Sequence, residues 1–346
     1  MRSLLVLAAS LAASPVAAQT VTEQPLLGPV EFRGLHALSK DVVWASGSNG
    51  WVYHTTTGGT HWTIDTIPGV SSLFLVDIFA TDDRHATVVG TDFRGGYAAI
   101  YATEDGGRRW RKEWELRDPR AFLDAVTILG DGTGLALGDP MDGHYLILVR
   151  RRGDSTWAAP GAPQIPCGPS GPVLPAADSG RGAYAASGTA LTRLGDRGAA
   201  FGTGGSPFAR VYTTTDRGSE WQRSDTPLPA GTSAGIFGIA FENDTLGLAV
   251  GGDYQLPNDT AANVLRTTDG GRTWTLAGRT TPIGVRWGLT SGGRGRYLAT
   301  APTGTGITED GGATWRVLDA KPANTASCAG GVCWLAGRNR LAKVTF

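Results

Sequence analysis

One octet, of the form Thr, any, Asp, any, Gly, any, any, Trp, recurs along the chain and constrains its fold more than any other feature. It reads TEDGGRRW at 103–110, TTDRGSEW at 214–221, TTDGGRTW at 267–274 and TEDGGATW at 308–315. A degenerate copy at 55–62, TTTGGTHW, has Thr57 in place of the Asp, and a worn remnant, DSTW, ends at Trp157. The six tryptophans at 62, 110, 157, 221, 274 and 315 lie at intervals of 48, 47, 64, 53 and 41 residues. Units this short cannot bury an apolar face alone, so they must stack into an array. Within the octet a short carboxylate can accept hydrogen bonds from the amides of its own turn. Glycine supplies a positive φ, and the Trp re-enters a strand to pack against a neighbouring unit. Flanking runs such as VVWA at 42–45 and AAIY at 98–101 read as strands, and no helical period is found beyond the N-terminus.

The four full octets resemble the Asp-box of sialidase-like β-propellers. The resemblance implies an all-β propeller in which Asp105, Trp110, Asp216, Trp221, Asp269, Trp274, Asp310 and Trp315 are structural. A repeat near 47 residues holds four strands plus turns, one propeller blade. Residues 19–346 divided by that repeat give about seven blades. The tail, 324–346, reads as three short strands, and 21–27 is placed to add the fourth and close the ring. The expected fold is a single seven-bladed propeller over 19–346.

Residues 1–18 read as a cleavable export signal: Met1 and Arg2, an apolar run over 4–13 broken only by Ser10, and Val16, Ala17 and Ala18 before Gln19. No later stretch is apolar enough for a membrane span. A periplasmic or secreted location is expected. The 31 basic and 31 acidic side chains cancel, and without a basic block the chain has no field to hold nucleic acid. Glycine, 51 of 346 residues, shows no three-residue period, which excludes a collagen-like chain. Cys328 and Cys333 bracket a hairpin turn, where opposed positions lie within disulfide range. Cys167 is then unpaired, in a Pro- and Gly-rich loop over 158–175.

Further stretches resemble one propeller family, the photosystem II stability/assembly factors and their bacterial relatives. They are FRGL at 32–35, AFLD at 121–124, GDPMDG at 138–143, AASG at 185–188, FGTGG at 201–205, DTP at 225–227, SAGIF at 233–237 and VGGDY at 250–254. They span nearly the whole chain after the leader and match the bacterial branch better than the photosynthetic one. The resemblance implies an exported monomer that binds protein and helps assemble or stabilise a membrane protein complex. Bacterial relatives also carry an oxidoreductase label, for which these residues offer no motif.

Aligning the inner strands as FRGL at 32–35, LVDI at 75–78, FLDA at 122–125, IFGI at 236–239 and VRWG at 285–288 places Arg33, Asp77, Asp124 and Arg286 near one end of the ring. Opposite charges at a propeller mouth suit binding of a ligand or charged tail, or an internal network stapling adjacent blades. Asp139, Asp142 and His144 surround Asp-Pro and Asp-Gly turns, and two carboxylates fall short of a calcium site. FGTGG at 201–205 lacks the helix of a phosphate cradle. The histidines at 36, 54, 61, 85 and 144 show no zinc spacing, and no Gly-x-Ser-x-Gly elbow is present. No metal or cofactor is expected. The alternative to a binding protein is a sialidase-like glycoside hydrolase, with Arg33 as one of three clamping arginines. Under the binding reading the contact residues are Arg33, Asp124, Asp142, Arg210, Asp253, Tyr254 and Arg286, acting through charge and exposed loops.

Overall fold

The computed structural model describes residues 19–160, 174–177, 182–205 and 207–346. The leader, Cys167 and most of the expected loop over 158–175 lie outside these residues. The described chain forms seven antiparallel sheets whose inner strands neighbour one another in a closed circle: a seven-bladed β-propeller. Blade 1 spans 32–66, blade 2 74–116, blade 4 191–229, blade 5 234–278 and blade 6 288–319, each with four strands in sequence order. Blade 3, 123–150, has three strands. The place of a fourth is taken by a bridge in which Val149 and Ala158 exchange backbone hydrogen bonds.

Blade 7 closes the ring. Thr325–Ala329, Val332–Gly337 and Arg340–Thr345 supply three strands, and Thr20–Glu23 adds the outer one, with Thr20 opposite Thr345. The start of the described chain is thereby sewn to its end, and the sheet edge of Arg340–Thr345 is covered. Cys328 and Cys333 are direct cross-strand partners and form a disulfide.

The patterning follows from the stacking. Middle strands such as Ala86–Thr91 and Ala98–Thr103 are buried on both faces, hence their continuous small and β-branched residues. The outer strand Gln222–Pro229 has one wet face and alternates exposed with buried positions. Each of the seven buried apolar clusters among the described residues spans one pair of adjacent blades. The core is therefore a set of seven inter-blade seams, and a channel is left at the axis.

The octet turns lock those seams. In each full copy the Asp accepts the amide four residues on: Arg109 to Asp105, Glu220 to Asp216, Thr273 to Asp269 and Thr314 to Asp310, at 2.9–3.0 Å. The Thr hydroxyl donates to the same carboxylate and accepts from the Gly four residues on, as Thr267 does from Gly271 at 2.9 Å. Each Trp docks on the preceding blade. Trp110 meets Trp44 edge-on, and Trp221 joins Leu135, Leu137 and Val149. All the turns lie between third and fourth strands, on the face where inner strands end. Their backbone is tied to the first hairpin of the same blade, for example Gly270 to Thr245.

Candidate functional site

The opposite face, where the inner strands begin, carries a cavity of about 530 Å³ over the channel. Its walls are aromatic: Phe93, Phe122, Tyr184, Phe237, Tyr254 and Trp287. Phe93 and Tyr254 stand on loops between second and third strands and remain 50% and 46% exposed at the rim. Tyr184 stacks on Phe237 at 4.2 Å, and Tyr254 stands nearly perpendicular to both. The Trp287 indole N–H is inaccessible and has no partner among the described residues.

Arg33 forms part of the wall. Its side chain is thrown out of the ladder by a bulge between Phe32 and Gly34. The guanidinium donates to the Ala185 carbonyl at 2.8 Å and to Glu31 at 3.2 Å, and Phe74 and Phe93 pack over it at 4.9 and 5.0 Å. Matching bulges leave out Val76, Asp124 and Phe237. They correct the alignment of inner strands: Asp124, not Leu123, is the counterpart of Arg33, and Asp77 sits one step deeper.

The four charges expected to cluster at the mouth are separated, and none pairs with another among the described residues. Asp124 is fully buried behind the cavity wall. Burial, with the charge of Asp139, holds its carboxyl well above the usual aspartate range. The Ala185 amide faces it without closing a well-formed hydrogen bond. Asp77 is also buried and accepts the Ile78 and Val126 amides at 2.8 Å each; burial raises its carboxyl too. Arg286, placed at the mouth by sequence, is fully buried instead. It donates to the carbonyls of Gly284, Gly304 and Ile283 at 2.9–3.2 Å and to the Thr303 hydroxyl. It ties the loop entering blade 6 to that blade's second turn, and burial lowers its pKa to about 10.

Asp139 lines the cavity, and burial raises its carboxyl to about 6 against the pull of the Ala183 amide. Asp253 accepts the Gln255 amide at the root of the loop carrying Tyr254. Asp142, with φ of 53°, caps an exposed turn and pairs with Arg120 at 2.9 Å. Arg210 pairs with Asp225 at 2.9 Å across blade 4. Of the seven expected contact residues, Arg33 and Tyr254 therefore line the cavity and Asp124 and Asp253 flank it. Asp142 and Arg210 are engaged in surface ion pairs, and Arg286 is structural.

At the other end of the channel a smaller cavity of about 260 Å³ is lined by His36, Asp77, Phe79 and Arg193, among others. His36 stacks on Phe79 at 4.0 Å and accepts the Ala80 amide. Burial, then the Arg193 charge, lowers its pKa to about 3, so the ring is neutral. Among the described residues no group of three or more His, Cys, Asp or Glu is arranged to hold a metal ion, and no helix is long and apolar enough to cross a membrane.

Comparison with solved structures reproduces the fold. A structure of YCF48 bound to D1 peptide is 15% identical, covers 97% of this chain and 100% of that one, and superposes with a TM-score of 0.61. YCF48 from Cyanidioschyzon merolae is 16% identical over 94% of this chain and 98% of that one, with a TM-score of 0.61. The GH74 enzyme of Niastella koreensis is 12% identical over 93% of this chain and 53% of that one, with a TM-score of 0.60. No protein-family model and no curated protein matches the chain.

Proposed function

We propose that the chain is an exported, non-enzymatic propeller whose cavity-bearing face binds a polypeptide segment and assists assembly or stability of a membrane protein complex. The observation that carries this reading is the aromatic cavity with Phe93 and Tyr254 half exposed at its rim. Large aromatics on a rigid scaffold give contact area at low entropic cost and are enriched at protein interfaces. The bound D1 peptide in the YCF48 structure supports a polypeptide as the ligand class. The leader-like residues 1–18 support export, and with it a partner at an envelope membrane.

The glycosidase alternative draws on the fold likeness to GH74 enzymes, and the cavity adds no observation for its sialidase form. A sialidase clamp needs three convergent arginines. Among the described residues lining the cavity Arg33 is the one arginine, and Glu31 and the Ala185 carbonyl already engage it.

Crosslinked affinity capture from the native envelope tests the proposal. Wild type is expected to enrich a defined membrane complex that a folded Phe93→Glu/Tyr254→Glu variant loses. Equal capture by both forms moves the contact to another face. No enrichment by wild type contradicts the proposal.

A further inference from the structure

The charge on the cavity wall is unbalanced. Arg33 is compensated by Glu31. Asp139, which lines the cavity, and Asp253, which flanks it, have no basic partner among the described residues. Both carboxylates lie near the Tyr184 phenol, whose pKa rises mainly through burial and then through the charges of Tyr254, Asp253 and Asp139. Beside them stands the corner made by Tyr184, Phe237 and Tyr254, two parallel rings and one across them. Ring faces carry negative potential and attract cations. An anionic group, by contrast, meets no unengaged guanidinium here: that of Arg33 is hydrogen-bonded at its edge and covered by Phe74 and Phe93. The volume, about 530 Å³, falls within the roughly 300–1,000 Å³ of ligand pockets and exceeds one side chain.

Resting on the polypeptide-binding reading above, we infer that the cavity selects a segment with a basic side chain, lysine or arginine, flanked by apolar residues. The stem of that side chain lies against the ring faces of the Tyr184–Tyr254 corner. Its charge is met by Asp139 and Asp253, and the flanking apolar residues cover Phe93 and Phe122. Arg33 on the wall, neutralised by Glu31, offers no second charge.

Panning phage-displayed random heptapeptides on the purified chain, with Tyr254→Ala as counter-selection, tests this without knowledge of the partner. Among peptides that require Tyr254, lysine or arginine is expected to be enriched about tenfold at one fixed position. Synthetic copies with norleucine at that position are expected to bind wild type about tenfold more weakly. The same change is expected to cost less than about twofold in an Asp139→Asn/Asp253→Asn variant, whose melting temperature is the folding control. Tyr254-dependent peptides without a basic preference overturn the inference and leave the polypeptide-binding reading standing. Failure to recover any Tyr254-dependent peptide overturns both.

Discussion

Asp139 reports on the site through its titration. An ordinary aspartate titrates near 3.8, and burial lifts this one to about 6. The folded chain thus holds a proton that the unfolded chain releases earlier. The sign follows for this group: the contribution of Asp139 to stability is greatest below about pH 4, falls as pH rises towards about 6, and is level above that. Asp139→Asn removes the titration. Its melting temperature is expected to exceed wild type at pH 7.5 and to converge with it near pH 4; a constant offset at both pH values would contradict the assignment. Arg286 behaves oppositely. Arg286→Met strands three backbone carbonyls in the interior, so urea unfolding is expected to show a loss of about 3 kcal/mol or more. Arg33 and Arg286, at the same place in the sequence alignment, thus have different tasks, and only the contacts reveal it. Arg33 and Tyr254 were legible as cavity residues from motif and position. Asp124 was placed one step out of register because a bulge leaves no mark in a strand's composition. Phe93, Phe122, Tyr184, Phe237 and Trp287 escaped notice because they come from the loops and strands of five different blades. No local signal joins them; the ring does.

At the scale of the element, the octet turn is the unit that sequence reads best, because its hydrogen bonds are made within eight residues. The degenerate copy shows what the motif requires. Thr57 stands where the others have Asp, and its hydroxyl still accepts the His61 amide at 2.9 Å while Thr55 still accepts the Gly59 amide. The turn therefore closes with a weaker, neutral acceptor. Thr57→Asp is expected to stabilise the chain by about 0.5–1 kcal/mol by restoring a charge-assisted bond. Asp269→Ala, which removes the acceptor for Thr267 and Thr273, is expected to cost about 1–2 kcal/mol. Denaturant midpoints of the two variants, moving in opposite directions, check the account; two shifts of the same sign would refute it. The middle position of the turn has positive φ in every copy, and at Arg217 it is filled by a residue other than glycine, at 67°. What the motif does not report is blade 3. Its box is worn and it has no fourth strand among the described residues, yet Trp157 keeps its seat by donating to Glu113 of blade 2 at 2.8 Å.

For the whole molecule, stability lies in seven seams and one closure. Blade count and closure were both readable, since repeat length and the strand-like tail are properties of the chain as a line. The closing strand itself is Thr20–Glu23 rather than 21–27. Glu23 pairs there with Lys321 and Arg340, and Gln24 bonds back to Leu341. Deleting residues 19–23 leaves the edge of Arg340–Thr345 unpaired, so a lower melting temperature and concentration-dependent association are expected by light scattering. A monomeric, unshifted product would contradict the closure. The disulfide supplements this closure within one hairpin; so short a loop yields at most about 2 kcal/mol. A rigid ring of this kind holds aromatic side chains from distant blades around one cavity, and that arrangement is the basis of the functional reading. Its central claim is that the cavity face, not the face of octet turns, meets a polypeptide partner. The most direct test places a photo-crosslinking residue at position 254, on the cavity rim, or at position 272, on an exposed octet turn, and irradiates the native envelope. The account predicts a discrete protein adduct from 254 and none from 272; an adduct from 272 alone, or from neither position, would contradict it.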